Sequence, residues 1–172
     1  MAGHFNRDKT DTMTDNIDFP KMCGVYLLKQ DGSIVIEGTN YEPSGPVRLG
    51  GNTRCRLSKE IASKYIGKMV IEISNETKVV KGTDFDNKQY IRGLLYFCGE
   101  KNNYKEAAKK MDYLSISIKD REVTVYPYIY DPEYGGYTST KDLPNAKCSS
   151  NERDVAVTVL STFERILEYQ KS

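Results

Sequence analysis

Residues 113–130 of the chain read YLSISIKDREVTVYPYIY, and their alternation decides the fold. Apolar side chains alternate with polar or aromatic ones before and after Asp120 and Arg121, which is typical of two β-strands that each bury one face. A two-residue turn at Asp120 and Arg121 sets the register of this hairpin. It pairs Ile118 with Val123, Ile116 with Val125 and Leu114 with Pro127 on one face, and Ser117 with Thr124, Ser115 with Tyr126 and Tyr113 with Tyr128 on the other. Both faces are chemically consistent, so the sequence predicts an antiparallel hairpin in this register.

A second hairpin is predicted near the start of the chain. VYLLK (25–29) and SIVIE (33–37) flank an Asp-Gly pair, which is a strong short-range hairpin signal between two apolar runs. The segment 39–52 is rich in proline and glycine and predicts a loop. Residues 69–73, MVIEI, predict a further strand.

Four helices are predicted from apolar spacing and end signals. The first helix covers 57–68, with Gly67 as C-cap, and the second covers about 87–97. The third is a short helix that begins after Asn102 or Asn103. The fourth is the C-terminal helix, which opens with Ser149 and Glu152 at capping-box spacing. The last helix is expected to pack on the aliphatic face of the 113–130 hairpin.

Residues 1–18 lack periodicity and are expected to be a flexible leader, and 19–172 are expected to form a single domain. The element order predicts an α+β fold, an antiparallel β-sheet built from hairpins with helices packed mainly on one face.

Composition excludes several functional classes. The 25 Lys and Arg balance 24 Asp and Glu, so the net charge of +1 gives no general attraction to nucleic acid or to an acidic membrane. No apolar run reaches the length of a membrane span. The cysteines Cys23, Cys55, Cys98 and Cys148 are scattered without a C-x-x-C pair, which indicates reduced thiols in a cytoplasmic protein. His4 is the one histidine and lies in the expected leader, so no metal site, cofactor or histidine-based catalysis is expected.

Two other kinds of chemistry stay open as alternatives. A small nucleic-acid-binding module would use Arg54, Arg56 and the lysines of the 101–110 segment to contact phosphates. An enzyme would use carboxylate pairs, either Asp84 with Asp86 or Asp131 with Glu133. Such charges are more often solvated surface, and we expect neither catalytic residues nor a nucleic-acid partner.

Tyrosines are concentrated after the second strand of the 113–130 hairpin. The chain has 13 tyrosines and no tryptophan, and five of the tyrosines fall in VYPYIYDPEYGGY, 125–137. Alternation places three of them on the face opposite the aliphatic residues, and the glycine turn displays the other two. Tyrosine is enriched at protein interfaces, although these rings would equally suit a second small core. The candidate partner-binding residues, here called the tyrosine surface, are Tyr126, Tyr128, Tyr130, Asp131, Glu133, Tyr134 and Tyr137.

The second strand of the 113–130 hairpin is expected at a sheet edge, because Pro127 cannot donate a backbone hydrogen bond. Another chain can pair with a strand in that position.

The C-terminal half resembles the immunity proteins of bacterial contact-dependent growth inhibition systems (CdiI-like). The resemblance rests on LLYFCGEKNNYKEAAKKMDYLSISIKDREVTVYPYIYD (94–131) and LPNAKCSSNERDVAVTVLSTFERI (143–166), in which Leu143-Pro144 and Ser149-Ser150 introduce the final helix. It implies a cytoplasmic protein without catalysis of its own. Such a protein binds the C-terminal toxin domain of its cognate effector, with a nuclease as the expected activity, and masks its active or substrate-binding site. The resemblance assigns no contact residues, so the tyrosine surface remains the candidate site.

Overall fold

The computed structural model describes residues 19–42, 48–80, 87–101 and 103–172. The expected leader 1–18, Asp84, Asp86 and Asn102 lie outside the described residues. The elements, in chain order, are β1 (Lys21–Leu28), β2 (Ile34–Tyr41), β3 (Arg48–Leu57), α1 (Lys59–Asn75), α2 (Asn87–Cys98), α3 (Tyr104–Ala108), β4 (Met111–Lys119), β5 (Glu122–Asp131), β6 (Gly136–Thr138), β7 (Ala146–Ser149) and α4 (Glu152–Tyr169). The predicted α+β class is confirmed.

The sheet is antiparallel, with the strand order β3-β2-β1-β4-β5-β6, and β7 also pairs with β5. Both predicted hairpins are present, and β4 pairs with β5 in the predicted register, from Tyr113 opposite Tyr128 to Ile118 opposite Val123. Asp120 and Arg121 form the turn with φ values of 50° and 64°. Positive φ at both central residues matches the right-handed twist of the two strands.

The larger core lies between one face of the sheet and helices α1 and α4. It takes alternate residues of β1, β2, β4 and β5, since strand side chains alternate between faces. The apolar stripe of α4 packs here on the aliphatic residues of the β4–β5 hairpin, as expected for the last helix. Its buried members are Val155, Val159, Phe163 and Ile166, and the strand residues they join include Val25, Ile36, Leu114, Ile116, Val123 and Val125.

A smaller core lies on the other face, beneath α2 and α3. Its buried members are Tyr26, Leu28, Val35, Leu94, Cys98, Ala107 and Met111. α3 is capped by Asn103, whose side chain accepts a hydrogen bond from the backbone N–H of Glu106. The two longer helices therefore share one face of the sheet, and the two shorter helices cover part of the other.

The strand predicted at 69–73 is wrong, because α1 continues through it to Asn75. Ala62, Ile66, Val70 and Ile73 are buried at helical spacing and form one stripe against the sheet. Gly67 does not end this helix. A Cβ at Gly67 would overlap the backbone carbonyl of Glu152, so the glycine allows α1 and α4 to approach closely.

The loop predicted at 39–52 is wrong for much of its length, because β2 extends to Tyr41 and β3 begins at Arg48. The glycines that suggested a loop allow close packing within a strand. A Cβ at Gly51 would lie 2.7 Å from the Gly38 carbonyl oxygen, and a Cβ at Gly50 would overlap the Tyr90 ring. The pairing of β2 with β3 is interrupted by a register shift between Glu37 and Thr39.

Two predictions at the C-terminal end also need correction. Ser149 belongs to β7, and the N-cap of α4 is Asn151, whose side chain accepts a hydrogen bond from the Asp154 backbone N–H at 2.9 Å. β5 is not a bare edge, because β7 pairs with residues 122–125 and β6 pairs with residues 129–131 on the side away from β4. These two short strands stop on either side of Pro127.

Candidate protein-binding surface

A row of tyrosines crosses the sheet on the α2–α3 face. Tyr26, Tyr113 and Tyr128 are register partners on β1, β4 and β5. The ring centroids of Tyr26 and Tyr113 are 4.8 Å apart, and those of Tyr113 and Tyr128 are 5.5 Å apart. These are contact distances for offset or tilted aromatic pairs. The row starts in the smaller core at Tyr26, which is buried, and ends at Tyr128, which is half-buried.

Tyr137 packs over this row from β6. Its ring centroid is 5.1 Å from that of Tyr113 and 6.3 Å from that of Tyr130. Its hydroxyl donates toward the carbonyl oxygens of Ala108, at 3.1 Å, and Met111, at 3.3 Å. Burial raises the pKa of Tyr137 well above its ordinary value. Tyr137 therefore joins the β5–β6 turn to the end of α3 and to β4.

Tyr134 stands apart from the row, with 77% of its surface exposed at the tip of the β5–β6 turn. Asp131 builds this turn, since its Oδ1 accepts hydrogen bonds from the backbone N–H groups of Glu133, at 2.8 Å, and Tyr134, at 3.1 Å. Gly135 closes the turn with a φ of 75°, and its N–H donates to the Asp131 carbonyl. These hydrogen bonds fix the backbone of a compact turn that carries the exposed Tyr134 side chain.

The other members of the tyrosine surface differ in accessibility. Glu133 is exposed beside Tyr134, whereas Tyr126, Tyr128, Tyr130 and Asp131 are half-buried. The Tyr130 hydroxyl is buried and has no hydrogen-bond partner among the described residues. The structure thus brings Tyr128, Tyr130 and Tyr137 together on one side of the turn and leaves Tyr134 alone at its tip.

A buried charged cluster at the other end of the tyrosine row was not predicted from the sequence. Glu37 is 3% exposed and accepts hydrogen bonds from the hydroxyls of Tyr26, at 2.9 Å, and Tyr90. Arg54 Nε lies 3.2 Å from Glu37 Oε2, and the guanidinium also packs over the Tyr90 ring. Burial raises the pKa of the Glu37 carboxyl, while the hydrogen bonds from Tyr90 and Tyr26 and the charge of Arg54 oppose that rise. A signal was present in the sequence, because Glu37 is a charged residue that directly follows the apolar run Ile34, Val35 and Ile36.

The cations that a nucleic-acid-binding module would use are largely engaged within the protein. Arg54 is buried against Glu37, and Arg56 pairs with Asp31 at 2.6 Å. Lys109 pairs with Glu106 at 2.7 Å and Lys110 with Glu100 at 2.9 Å. Asp131, a candidate for carboxylate catalysis, is used to build a turn. These pairings do not favour the nucleic-acid alternative.

The described residues hold no group of three or more His, Cys, Asp or Glu side chains placed to bind a metal ion. The cysteines are free thiols. Burial raises the pKa of both Cys23 and Cys98 to about 12, so neither is a reactive thiolate. Within the described part of the chain, no helix is long and apolar enough to cross a membrane.

Comparison with known proteins shows similarity of fold and no match of sequence. No protein-family model matches the chain, and no curated protein matches its sequence. A protein of unknown function from Neisseria meningitidis, NMB0488, superposes with a TM-score of 0.68 at 12% identity, covering 89% of this chain and 99% of that one. A chain of the CdiA-CT/CdiI toxin and immunity complex from Yersinia pseudotuberculosis superposes with a TM-score of 0.66 at 15% identity, covering 88% of this chain and 99% of that one. The fold of this protein thus resembles, over almost its whole length, that of a chain in a toxin–immunity complex.

Proposed function

We propose that this chain is an immunity protein that binds and neutralises the C-terminal toxin domain of a cognate contact-dependent growth inhibition effector. The observation that carries the proposal is the fold shared with a chain of a toxin–immunity complex over 88% of this protein. Because one fold can serve several functions, the surface must also suit the role. The tyrosine surface supports it with aromatic side chains held on a rigid sheet and a compact turn.

Neutralisation by masking requires tight binding and no catalytic activity of the inhibitor. A toxin domain, for which we propose a nuclease, loses activity when a partner covers its active site or its substrate-binding site. A partner can do this with a few well-placed anchors surrounded by complementary contacts. The inhibitor would act in the cytoplasm, where the toxin reaches its substrate.

The residues of the tyrosine surface would have different roles in binding the toxin domain. Tyr134 is the proposed anchor, because its ring is exposed and its backbone is fixed. Asp131 positions Tyr134 through the turn, and Glu133 supplies an exposed carboxylate for a basic toxin surface. Tyr126, Tyr128 and Tyr130 offer a half-buried aromatic floor, and Tyr137 supports the turn from below.

The test is co-expression of the tagged chain with the toxin domain encoded beside it, followed by measurement of the dissociation constant and of growth protection. Tyr134→Ala should weaken binding by more than about 1 kcal/mol, because truncation removes an interface anchor. Tyr96→Ala is the matched control, since Tyr96 is a comparably exposed tyrosine, at 82%, on a different element, α2. That variant should bind and protect as the wild type does.

Tyr137→Ala should act differently, by lowering the stability of the free protein through lost packing of its ring. If wild-type protein neither binds the toxin domain nor protects cells, the proposed function is wrong. If wild-type protein binds while Tyr134→Ala and Tyr96→Ala behave alike, the function stands and the site assignment fails.

A further inference from the structure

An apolar groove opens on the sheet face opposite the tyrosine surface. It lies between the β1–β2 hairpin, α1 and the C-terminal part of α4 and has a volume of about 490 Å³. Its apolar lining is Leu27, Leu28, Ile34, Ala62, Leu160 and Leu167. Lys29, Lys59 and Ser63 contribute polar groups. The volume and composition are those of a small-molecule site, which is typically apolar with a few convergent polar groups.

Asp112 supplies the convergent polar group. This residue lines the groove and is 2% exposed. Its Oδ1 lies 3.1 Å from Lys29 Nζ and accepts a hydrogen bond from Gln170 Nε2 at 2.8 Å. Its Oδ2 is buried and accepts no hydrogen bond from any described residue. A buried carboxylate oxygen without a donor is costly, so a donor that reaches Oδ2 from the groove gains a strong hydrogen bond.

The charges around Asp112 limit what that donor can be. Lys29 already balances the carboxylate, and a second ammonium or guanidinium group would meet the Lys29 charge and the nearby Lys59. A neutral N–H or O–H donor completes the hydrogen bonding of Oδ2 without adding charge. We propose that this groove binds a small apolar molecule that carries a neutral hydrogen-bond donor, such as the N–H of an indole or the O–H of a phenol.

Two probes test this chemistry directly in the full-length protein. Indole carries the N–H donor, and 1-methylindole has a similar apolar shape without it. Because the chain has no tryptophan, the fluorescence of either probe can be excited where tyrosine does not absorb. Indole should bind saturably, and about tenfold more tightly than 1-methylindole, since it alone donates to the carboxylate.

Asp112→Asn isolates the hydrogen bond. The amide oxygen should stay with the two donors, Lys29 and Gln170, which puts the amide NH₂ in the position of Oδ2. A donor then replaces the acceptor, so the preference for indole over 1-methylindole should disappear. Asp142→Asn removes an exposed carboxylate elsewhere and should leave that preference unchanged.

Leu167→Ala tests the apolar lining with little risk to folding, because this side chain is 36% exposed. It should weaken the binding of both probes several-fold. Val157→Ala is the matched control on the same helix, since Val157 is exposed and does not line the groove.

Three results would overturn the proposal: no saturable binding of indole, equal binding of the two probes by wild-type protein, or stoichiometric displacement of indole by the toxin domain. The last result would make the groove part of a protein interface. Because the groove and the tyrosine surface lie on opposite faces, loss of the preference for indole in Asp112→Asn with intact toxin binding separates this site from the proposed function.

Discussion

Gly67 occupies a position where the backbone of a neighbouring helix leaves no space for a side chain. A Cβ there would overlap the Glu152 carbonyl and approach the Ala156 backbone nitrogen. We expect Gly67→Ala to lower the free energy of unfolding by about 2 kcal/mol, because overpacking between α1 and α4 outweighs the gain of about 1 kcal/mol in helix propensity. Urea unfolding followed by circular dichroism measures the change.

Ser63→Ala is the control for that substitution, because Ser63 is exposed on the same helix. It should change the free energy of unfolding by no more than about 0.5 kcal/mol. A Gly67→Ala variant that is more stable than the wild type would show that the two helices separate readily.

Glu37 should make stability depend on pH. Its pKa is raised above the ordinary value of 4.5, so the folded protein holds this proton more tightly than the unfolded chain does. The resulting stabilisation is fully present below pH 4.5 and is lost as the pH rises through the raised pKa. We expect the free energy of unfolding of the wild type to fall more steeply over that window than that of Glu37→Gln, in urea titrations at a series of pH values.

Glu72→Gln is the control for the pH dependence, because Glu72 is about half exposed on α1, where it pairs with Lys68. Its pH profile should run parallel to that of the wild type. Parallel profiles for Glu37→Gln and the wild type would mean that the hydrogen bonds and Arg54 fully offset the burial of Glu37.

The two ends of the β5–β6 turn show which parts of the candidate site a sequence can predict. The exposure of Tyr134 follows from local signals, since Asp131 and the glycines Gly135 and Gly136 are turn-forming residues. The packing of Tyr137 does not, because its hydroxyl partners are the carbonyls of Ala108 and Met111, more than 20 residues away. The same holds for Glu37, whose partners Arg54 and Tyr90 are brought to it by β3 and α2.

The turn between β4 and β5 carries conformational strain that a single substitution can relieve. Arg121 has a φ of 64°, in the left-handed region that favours glycine. We expect Arg121→Gly to raise the free energy of unfolding by about 0.5–1 kcal/mol, because glycine adopts this conformation without the steric cost of a Cβ. Thermal unfolding measures the gain.

Glu122→Gly tests whether the gain is specific to the turn. Glu122 begins β5 and pairs with Lys119 across the hairpin, so glycine should weaken the strand there. If both substitutions destabilise the protein equally, strain at Arg121 contributes little.

Among the strands, the four apolar strands of the two predicted hairpins, β1, β2, β4 and β5, were predictable, and β3, β6 and β7 were not. The β1–β2 and β4–β5 hairpins are specified by alternation and by short turns. β3 and β7 are short or rich in glycine, and they become strands because β2 and β5 offer edges to pair with. Residues 69–73 look like a strand by composition but continue a helix, because their apolar stripe extends that of α1 across the sheet.

For the whole molecule, the two cores should differ in how easily they open. Cys23 is buried in the larger core and Cys98 in the smaller one, and both thiols are protected by burial. Short helices over a small core open at lower free energy than the centre of a sheet. We expect a thiol reagent to label Cys98 faster than Cys23 under native conditions, as measured by peptide mapping with mass spectrometry.

In denaturant the two cysteines should be labelled at similar rates, which controls for their intrinsic reactivity. Equal labelling rates under native conditions would indicate that the sheet and all the helices of the described chain unfold in one step.

The short strands β6 and β7 have a consequence for the protein at high concentration. A long bare strand edge is a template on which further copies add by backbone pairing, and this is how amyloid fibrils grow. At β5 the two short strands cover both ends, and Pro127 between them has no N–H to donate. A cell that makes this chain in excess can therefore accumulate it without β5 seeding polymerisation.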